Sequence, residues 1–188
     1  MAELMVDYIT SLDGYGAAEG WPGLWGLGGP DYLAWLEEDM KSQFTLLVGA
    51  STYRLFAEFA AKGEEGIDDL TGVPKIVFSR TLEEPLAWAN STLVDQDAVE
   101  AVRSLKASSD TVLRTIGSPS LSTSLLRAGL VDRYRVVVFP VVTGATGSDR
   151  IYDAWPDVTL DVVESRTFEG GLQLLDCVPT LLDKPPGA

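Results

Sequence analysis

The spacing of apolar residues changes along the chain, and each change marks an element. Leu4 to Thr10 is rich in β-branched and aromatic residues and predicts a strand, closed by Ser11-Leu12-Asp13-Gly14. Behind Pro30, a residue suited to a first helical turn, Leu33, Leu36 and Met40 recur at i, i+3 and i+7 and predict an amphipathic helix over 31–42. Phe44 to Val48 has buried-strand length, and Gly49-Ala50-Ser51-Thr52 then offers Ser51 or Thr52 as N-cap of a helix marked by Leu55, Phe56 and Phe59. Lys62 to Gly72 reads as a polar loop, followed by short strands at Lys75–Ser79 and Ser91–Val94. Asp95 is placed to cap a helix whose apolar face is Val99, Val102 and Leu105. Thr111 to Ile116 predicts a strand. Gly117-Ser118-Pro119 turns directly into a helix with Leu121, Leu125 and Leu126, ending at Gly129. Val131 to Val142 predicts a long strand, and Val158–Thr167 with Leu172–Val178 a hairpin joined through Gly170-Gly171.

Strands alternating with helices imply an α/β fold. The expectation is three α-β-α layers around a mostly parallel central sheet, with an antiparallel C-terminal edge hairpin. One domain is expected over 1–180, with a flexible Pro/Gly tail at 181–188. Residues 13–30 hold seven glycines, two prolines, Trp21 and Trp25, and read as a long irregular loop of the functional kind.

Composition narrows the chemistry. The chain of 188 residues contains no histidine, one cysteine and a net charge of −14. The missing histidine excludes Ser-His-Asp, Cys-His and HExxH machinery. Cys177 alternates with Leu175 on the last strand and reads as a small buried residue. A chain this acidic repels a phosphate backbone, so no nucleic-acid partner is expected. The acidic N-terminus does not resemble a signal peptide and no run approaches a membrane span, which points to a cytoplasmic setting without a membrane partner.

In open α/β sheets ligands bind beyond the carboxyl ends of the strands. That rule selects Ser11–Gly14, Gly49–Thr52, Ser79–Thr81, Gly117–Ser120 and Thr143–Gly147. Gly117-Ser118-Pro119-Ser120-Leu121 lets a ligand approach the backbone at a helix N-terminus, where amides and dipole favour phosphate; the alternative is an ordinary β-α turn. Gly49-Ala50-Ser51-Thr52 repeats that logic, and Arg80 adds a residue suited to bidentate phosphate recognition or to simple solvation. Asp31, at a helix start, either complements the dipole or meets a substrate, and Asp13 is either a turn former or a site residue. No GxGxxG follows a strand.

Six motifs then occur in one order: Ser11-Leu12-Asp13-Gly14-Tyr15; Gly49-x-x-Thr52-Tyr53; Lys75-x-Val77-x-Ser79-Arg80-Thr81-Leu82; Gly117-x-x-x-Leu121; Leu125-Leu126-x-Ala128-Gly129-Leu130-Val131-Asp132; and Pro140-Val141-x-x-Gly144-x-x-Gly147. Together they resemble the dihydrofolate reductase-like superfamily, in the branch of the reductase domain of bacterial riboflavin biosynthesis. The resemblance implies NADPH bound at the strand carboxyl ends and hydride transfer to a small pterin- or aminopyrimidine-like heterocycle. It implies Gly49, Ser51 and Thr52 on the cofactor phosphates, Ser79, Arg80 and Thr81 at the adenosine ribose, and Gly117, Ser118, Pro119, Ser120 and Leu121 as the pyrophosphate loop. Asp13 and Gly14 would lie beside the nicotinamide. Asp31 would be the substrate-binding acid and, with Asp13, a catalytic residue, with Trp25 and Trp35 on the substrate side, and a homodimer is implied. Two departures concern the cofactor: Ala50 stands where the family has Arg, which leaves NADH open, and Ser118 replaces the second glycine of the pyrophosphate loop. No basic cluster for a ribitol phosphate is present in the sequence. Hydride chemistry belongs to a cofactor and suits a His-free chain. The competing readings are a family member that binds a nucleotide or other small ligand without catalysis, and a dimerisation scaffold.

Overall fold

Strand β1 (Leu4–Ser11) alternates buried and half-buried positions, because Leu4, Val6 and Tyr8 face one layer of the fold and Asp7 and Ile9 the other. The computed structural model describes residues 1–20, 25–64 and 66–184, and the side chain of Trp25 also lies outside that set. After β1 come β2 (Tyr15–Ala18), α1 (Pro30–Asp39), β3 (Phe44–Gly49), α2 (Ala50–Lys62), α3 (Ile67–Gly72), β4 (Lys75–Phe78) and β5 (Ser91–Val94). Then follow α4 (Ala98–Ser108), β6 (Val112–Ile116), α5 (Pro119–Arg127), β7 (Arg133–Phe139), β8 (Gly147–Arg150), β9 (Val158–Thr167) and β10 (Gln173–Leu181).

Eight strands form one sheet in the order β5-β4-β3-β6-β1-β7-β10-β9. The first six are parallel, and β10 and β9 add an antiparallel edge. The three-layer α/β expectation with its terminal hairpin therefore holds. Chain direction reverses its progress across the sheet at β6, which is inserted between β3 and β1, and this switch point sets the crevice. On one face α4 and α5 cover Leu4, Val6, Tyr8, Leu47, Leu113 and Val136. On the other, α2 and α3 cover Phe44, Leu46, Val48 and Val77, and α1 covers Val137 and Phe139.

Five local expectations change. Residues 15–18 are not irregular: β2 pairs antiparallel with β8 in a separate two-stranded ribbon over the carboxyl edge. The ribbon depends on Gly147, where an added Cβ would lie 2.6 Å from the Tyr15 ring. The polar stretch 62–72 contains α3, which Lys75 secures by donating to the carbonyls of Leu70, Thr71 and Val73 at 2.8, 3.1 and 2.6 Å. Asp97, not Asp95, caps α4, accepting from the amides of Val99 and Glu100 at 3.0 and 3.1 Å. Neither Ser51 nor Thr52 caps α2, because Gly49 is the N-cap residue. Of the tail, Leu181 belongs to β10 and residues 185–188 lie outside the described set. Among the described residues no helix is long and apolar enough to cross a membrane.

Midway along the strands, Asp7 of β1, Arg114 of β6 and Arg135 of β7 form a closed ion network with Asp39 of α1. Arg114 reaches Asp7 at 2.5 Å and Asp39 at 2.7 Å, and Arg135 reaches each of the same two at 2.7 Å. The arginines lie over the rings of Phe44 and Trp35, both at 4.9 Å.

Candidate functional site

The carboxyl ends of β3 and β6 are neighbours, and each strand runs straight into a helix. Gly117 and Ser118 both adopt left-handed backbone, with φ of 62° and 56°. Glycine does so without cost, whereas a side chain there costs about 1–2 kcal/mol. Two hydrogen bonds offset that cost in Ser118: its Oγ accepts the Gly49 amide at 2.9 Å, and its own amide donates to Thr52 Oγ1 at 3.1 Å. The N-termini of α2 and α5 are thereby tied to each other across the sheet edge. Neither helix has a side-chain cap. Pro119 has no N–H, and the first-turn amides of Ser120 and Leu121 have no intrahelical acceptor. Two positive dipole ends converge on one point, which is a setting for an anion.

Toward the outer strands, Ser79 Oγ accepts the amides of Thr81 and Leu82 at 3.0 and 3.1 Å and fixes the turn that presents Arg80. Arg54, from α2, donates to Thr81 Oγ1 at 3.2 Å. Beside this turn lies an open cavity of about 480 Å³ lined by Ser79, Arg80, Leu82, Glu83, Glu84, Leu93 and Asp95.

On the other side of the switch point the polar groups hold one another. Asp13 Oδ1 accepts the Ser11 hydroxyl at 2.6 Å and the Thr143 amide at 3.1 Å. The Ser11 hydroxyl, with help from the Thr143 amide, keeps the Asp13 carboxyl below its ordinary value. Asp13 thus straps the exit of β1 to the exit of β7. Gly14 lies under the Tyr152 ring, 3.1 Å from where its Cβ would stand. A smaller cavity of about 190 Å³ opens between Ala18, Glu19, Val141, Val142, Thr143 and Thr146.

Asp31 does not point into either cavity's lining. Its Oδ1 accepts the Tyr32 amide within the first turn of α1 and its Oδ2 the Glu169 amide, both at 2.8 Å, so one oxygen is held inside the helix and the other fastens α1 to the β9–β10 turn. Trp35 stacks on Tyr32 at 5.9 Å and touches Phe168 at 5.7 Å, within the apolar cluster under α1. The side chain of Trp25 is outside the described residues. The structure therefore brings Gly49, Thr52, Gly117 and Ser118 into direct contact and sets Ser79, Arg80 and Thr81 on a neighbouring strand exit, while Asp13, Asp31 and Trp35 are engaged elsewhere. Sequence reasoning missed Arg54, although its place three residues after Ser51 puts it on the same helix face. It also missed Tyr152, Glu83 and Glu84, which carry no local signal.

Among the described residues no group of three or more Cys, Asp or Glu side chains is placed to hold a metal. The family model for the RibD C-terminal domain matches residues 2–174. The uncharacterized protein YyaP of Bacillus subtilis (strain 168) is 27% identical over 176 residues, 90% of each chain. A provisionally assigned riboflavin biosynthesis protein of Shewanella sp. PV-4 superposes with a TM-score of 0.72 at 22% identity, over 96% of this chain and 99% of that one. A pyrimidine reductase-like protein of Corynebacterium diphtheriae gives 0.65 at 16%, over 95% and 92%. The Thermotoga maritima diaminohydroxyphosphoribosylaminopyrimidine deaminase/5-amino-6-(5-phosphoribosylamino)uracil reductase gives 0.68 at 18%, over 95% of this chain and 57% of that one.

Proposed function

Because the chain belongs to the RibD C-terminal domain family, we propose that it is an NAD(P)H-dependent reductase of a small pterin- or aminopyrimidine-like heterocycle. One observation carries this reading: the uncapped N-termini of α2 and α5 converge at the switch point of the sheet, with Arg80 on the next strand exit. The two parts fit a dinucleotide, whose pyrophosphate needs amide donors and whose adenosine end needs a separate recess.

In this assignment the amides of Ser51, Thr52, Ser120 and Leu121 bind the phosphates, and Gly117 and Pro119 shape the loop that offers them. The Gly49 amide is already taken by Ser118, so Gly49 and Ser118 act by holding the two helix ends together. Ser79, Arg80 and Thr81 hold the adenosine ribose. Gly14 faces the nicotinamide beneath Tyr152, with the small cavity at Val141–Thr143 beside it. Bound nicotinamide supplies the hydride. Asp13 holds the floor of that end as a fixed anion, and Asp31 and Trp35 form the wall under α1.

Register places Val158, Leu160 and Val162 of β9 opposite Leu181, Pro179 and Cys177 of β10, so these side chains share one face. Leu160, Val162 and Leu181 are 39%, 59% and 40% exposed. An apolar sheet face of this kind supports self-association as a homodimer. The cytoplasm is the proposed setting. The second reading, binding without turnover, draws on the engagement of both Asp13 and Asp31 in backbone hydrogen bonds.

Titrating the protein with NADH and NADPH and following cofactor fluorescence tests the proposal. Saturation of at least one below about 1 mM is expected, since substrates of enzymes are commonly bound in the micromolar to millimolar range. No binding of either at that concentration overturns it. Steady cofactor oxidation with any member of a pterin and aminopyrimidine panel separates turnover from mere binding.

A further inference from the structure

Lys41, Lys62 and the buried Lys106 each pair with a carboxylate, on Glu38, Glu58 and Asp132. Lys75, the first residue of β4, does not, although it is only 2% exposed. Its ammonium donates to the carbonyls of Leu70, Thr71 and Val73 at the C-terminal end of α3 and lies 4.4 Å from the centre of the Trp88 ring. None of these partners carries a formal negative charge. The elements packed around it add none. The neighbouring strands β3 and β5 contain no charged residue. Glu64, Asp68 and Asp69 are exposed at the other end of α3. On α2, Glu58 and Lys62 hold each other and Arg54 turns to Thr81, while Tyr53 reaches the corner through Trp88, whose amide donates to its hydroxyl at 3.2 Å. Arg80, Glu83 and Glu84 are exposed beyond the far end of β4.

A buried ammonium without a counter-ion gives up its proton readily, because carbonyl dipoles replace only part of its hydration. Here burial pushes the pKa from 10.5 down to about 8. The charged form has three donors, one for each carbonyl, and the neutral amine has two. The Thr71 carbonyl is the one that can be released. Its bond is the longest of the three at 3.1 Å, and Asn90 Nδ2 also donates to it at 3.0 Å.

We propose that Lys75 is a proton switch at the corner between α3 and β4: in mildly alkaline solution it loses its proton within the folded protein, and α3 is then held by two of its three bonds. The folded pKa lies below the unfolded one, so between the two values the unfolded chain binds more protons. The stabilisation this brings is whole above about 10.5 and is lost as pH falls through about 8. At neutral pH the fold thus carries a buried charge that costs stability, and it is relieved of that cost as pH rises.

The test is an NMR titration of the full chain, following the Lys75 side-chain carbon next to the amine from about pH 6 to 11, assigned through bonds to its own amide. A midpoint near pH 8 is expected, well below those of Lys41 and Lys62, whose glutamate partners hold their protons more firmly. The Thr71 carbonyl carbon should shift with the same midpoint. A Lys75 midpoint that coincides with those of Lys41 and Lys62 overturns the proposal, and a Thr71 carbonyl that does not respond overturns its structural half. Urea unfolding of the parent and of Lys75→Met supplies the second readout. Tyr8, Tyr32, Tyr134 and Cys177 also titrate in alkali, but they are common to both proteins. From about pH 7.5 to 9.5 the unfolding constant of the parent should fall about tenfold relative to the variant. A constant ratio overturns the link to stability. Should the variant fail to fold, the titration of the parent decides alone.

Discussion

Two polar regions, one midway along β1, β6 and β7 and the other at the carboxyl ends of β3 and β6, are built on contrary principles. The first, Asp7 with Arg114, Arg135 and Asp39, is closed: both arginines are buried, and each carboxylate meets both guanidinium groups. The second, where α2 and α5 begin, leaves first-turn amides without acceptors and Arg80 without a partner among the described residues. A closed network can only be weakened by an incoming ligand, because its groups are already satisfied. An open one has bonds still to make. The contrast indicates which charged groups hold the fold and which await a ligand.

The largest effect is expected in the closed region. Asp7→Ala leaves two buried arginines sharing Asp39, and loss of one partner from a buried ion network costs about 3–5 kcal/mol. Urea unfolding measures it, and a loss under about 1 kcal/mol would mean that the network is not closed as described. The same region governs acid stability. Burial pushes the Asp7 carboxyl up, but Arg114 and Arg135 outweigh it and hold the group below its ordinary value of 3.8. The folded pKa is thus depressed, and the stabilisation it brings is whole above the unfolded value and is lost as pH falls through the folded one. Unfolding free energy should decline below about pH 4 in the parent, and this decline should be shallower in Asp7→Asn.

Mutating the open region should affect binding and leave folding intact. Arg80→Glu is expected to weaken dinucleotide affinity about tenfold, by removing one charge contact and adding a repulsion, with no shift in melting temperature. Unchanged affinity would remove Arg80 from the adenosine end. Val162→Glu, on the exposed face of β9, should shift sedimentation from dimer to monomer at equal concentration; a monomeric parent would contradict the interface. The smallest effect belongs to Asp31→Asn. One of its two backbone acceptor bonds can be kept, so the cost is about 1 kcal/mol in chemical denaturation. A loss of turnover of a hundredfold or more, with stability unchanged, would instead make Asp31 a group that acts on the substrate.

Sheet architecture was legible because each parallel strand and its helix announce themselves locally, as Phe44–Val48 and the Gly117-Ser118-Pro119 turn do. The glycine turns at Gly49 and Gly117 were legible as a potential anion site for the same reason. What was not legible depends on partners distant in sequence. Asp13 is fixed by Thr143, 130 residues away, and Asp31 by Glu169, 138 residues away, so neither engagement shows in local spacing. The β2–β8 ribbon is not legible locally, because Tyr15-Gly16-Ala17-Ala18 and Gly147-Ser148-Asp149-Arg150 are only four residues each and rich in types with little β-propensity (glycine, alanine and aspartate). Asp95 was read as a cap because it precedes a helix, but Asp97 stands closer to the first turn and takes that role. Asp95 remains available to the cavity.

The central claim is that the amides at the starts of α2 and α5 are the groups that receive a dinucleotide. Amide hydrogen exchange, measured with and without saturating NADH, addresses those atoms directly. Protection should rise at residues 50–52 and 120–121 and around Arg80, and stay constant at β1, β6 and β7 around Asp7, Arg114 and Arg135. Binding accompanied by no added protection at 50–52 and 120–121, or by protection confined to other segments, would contradict the account.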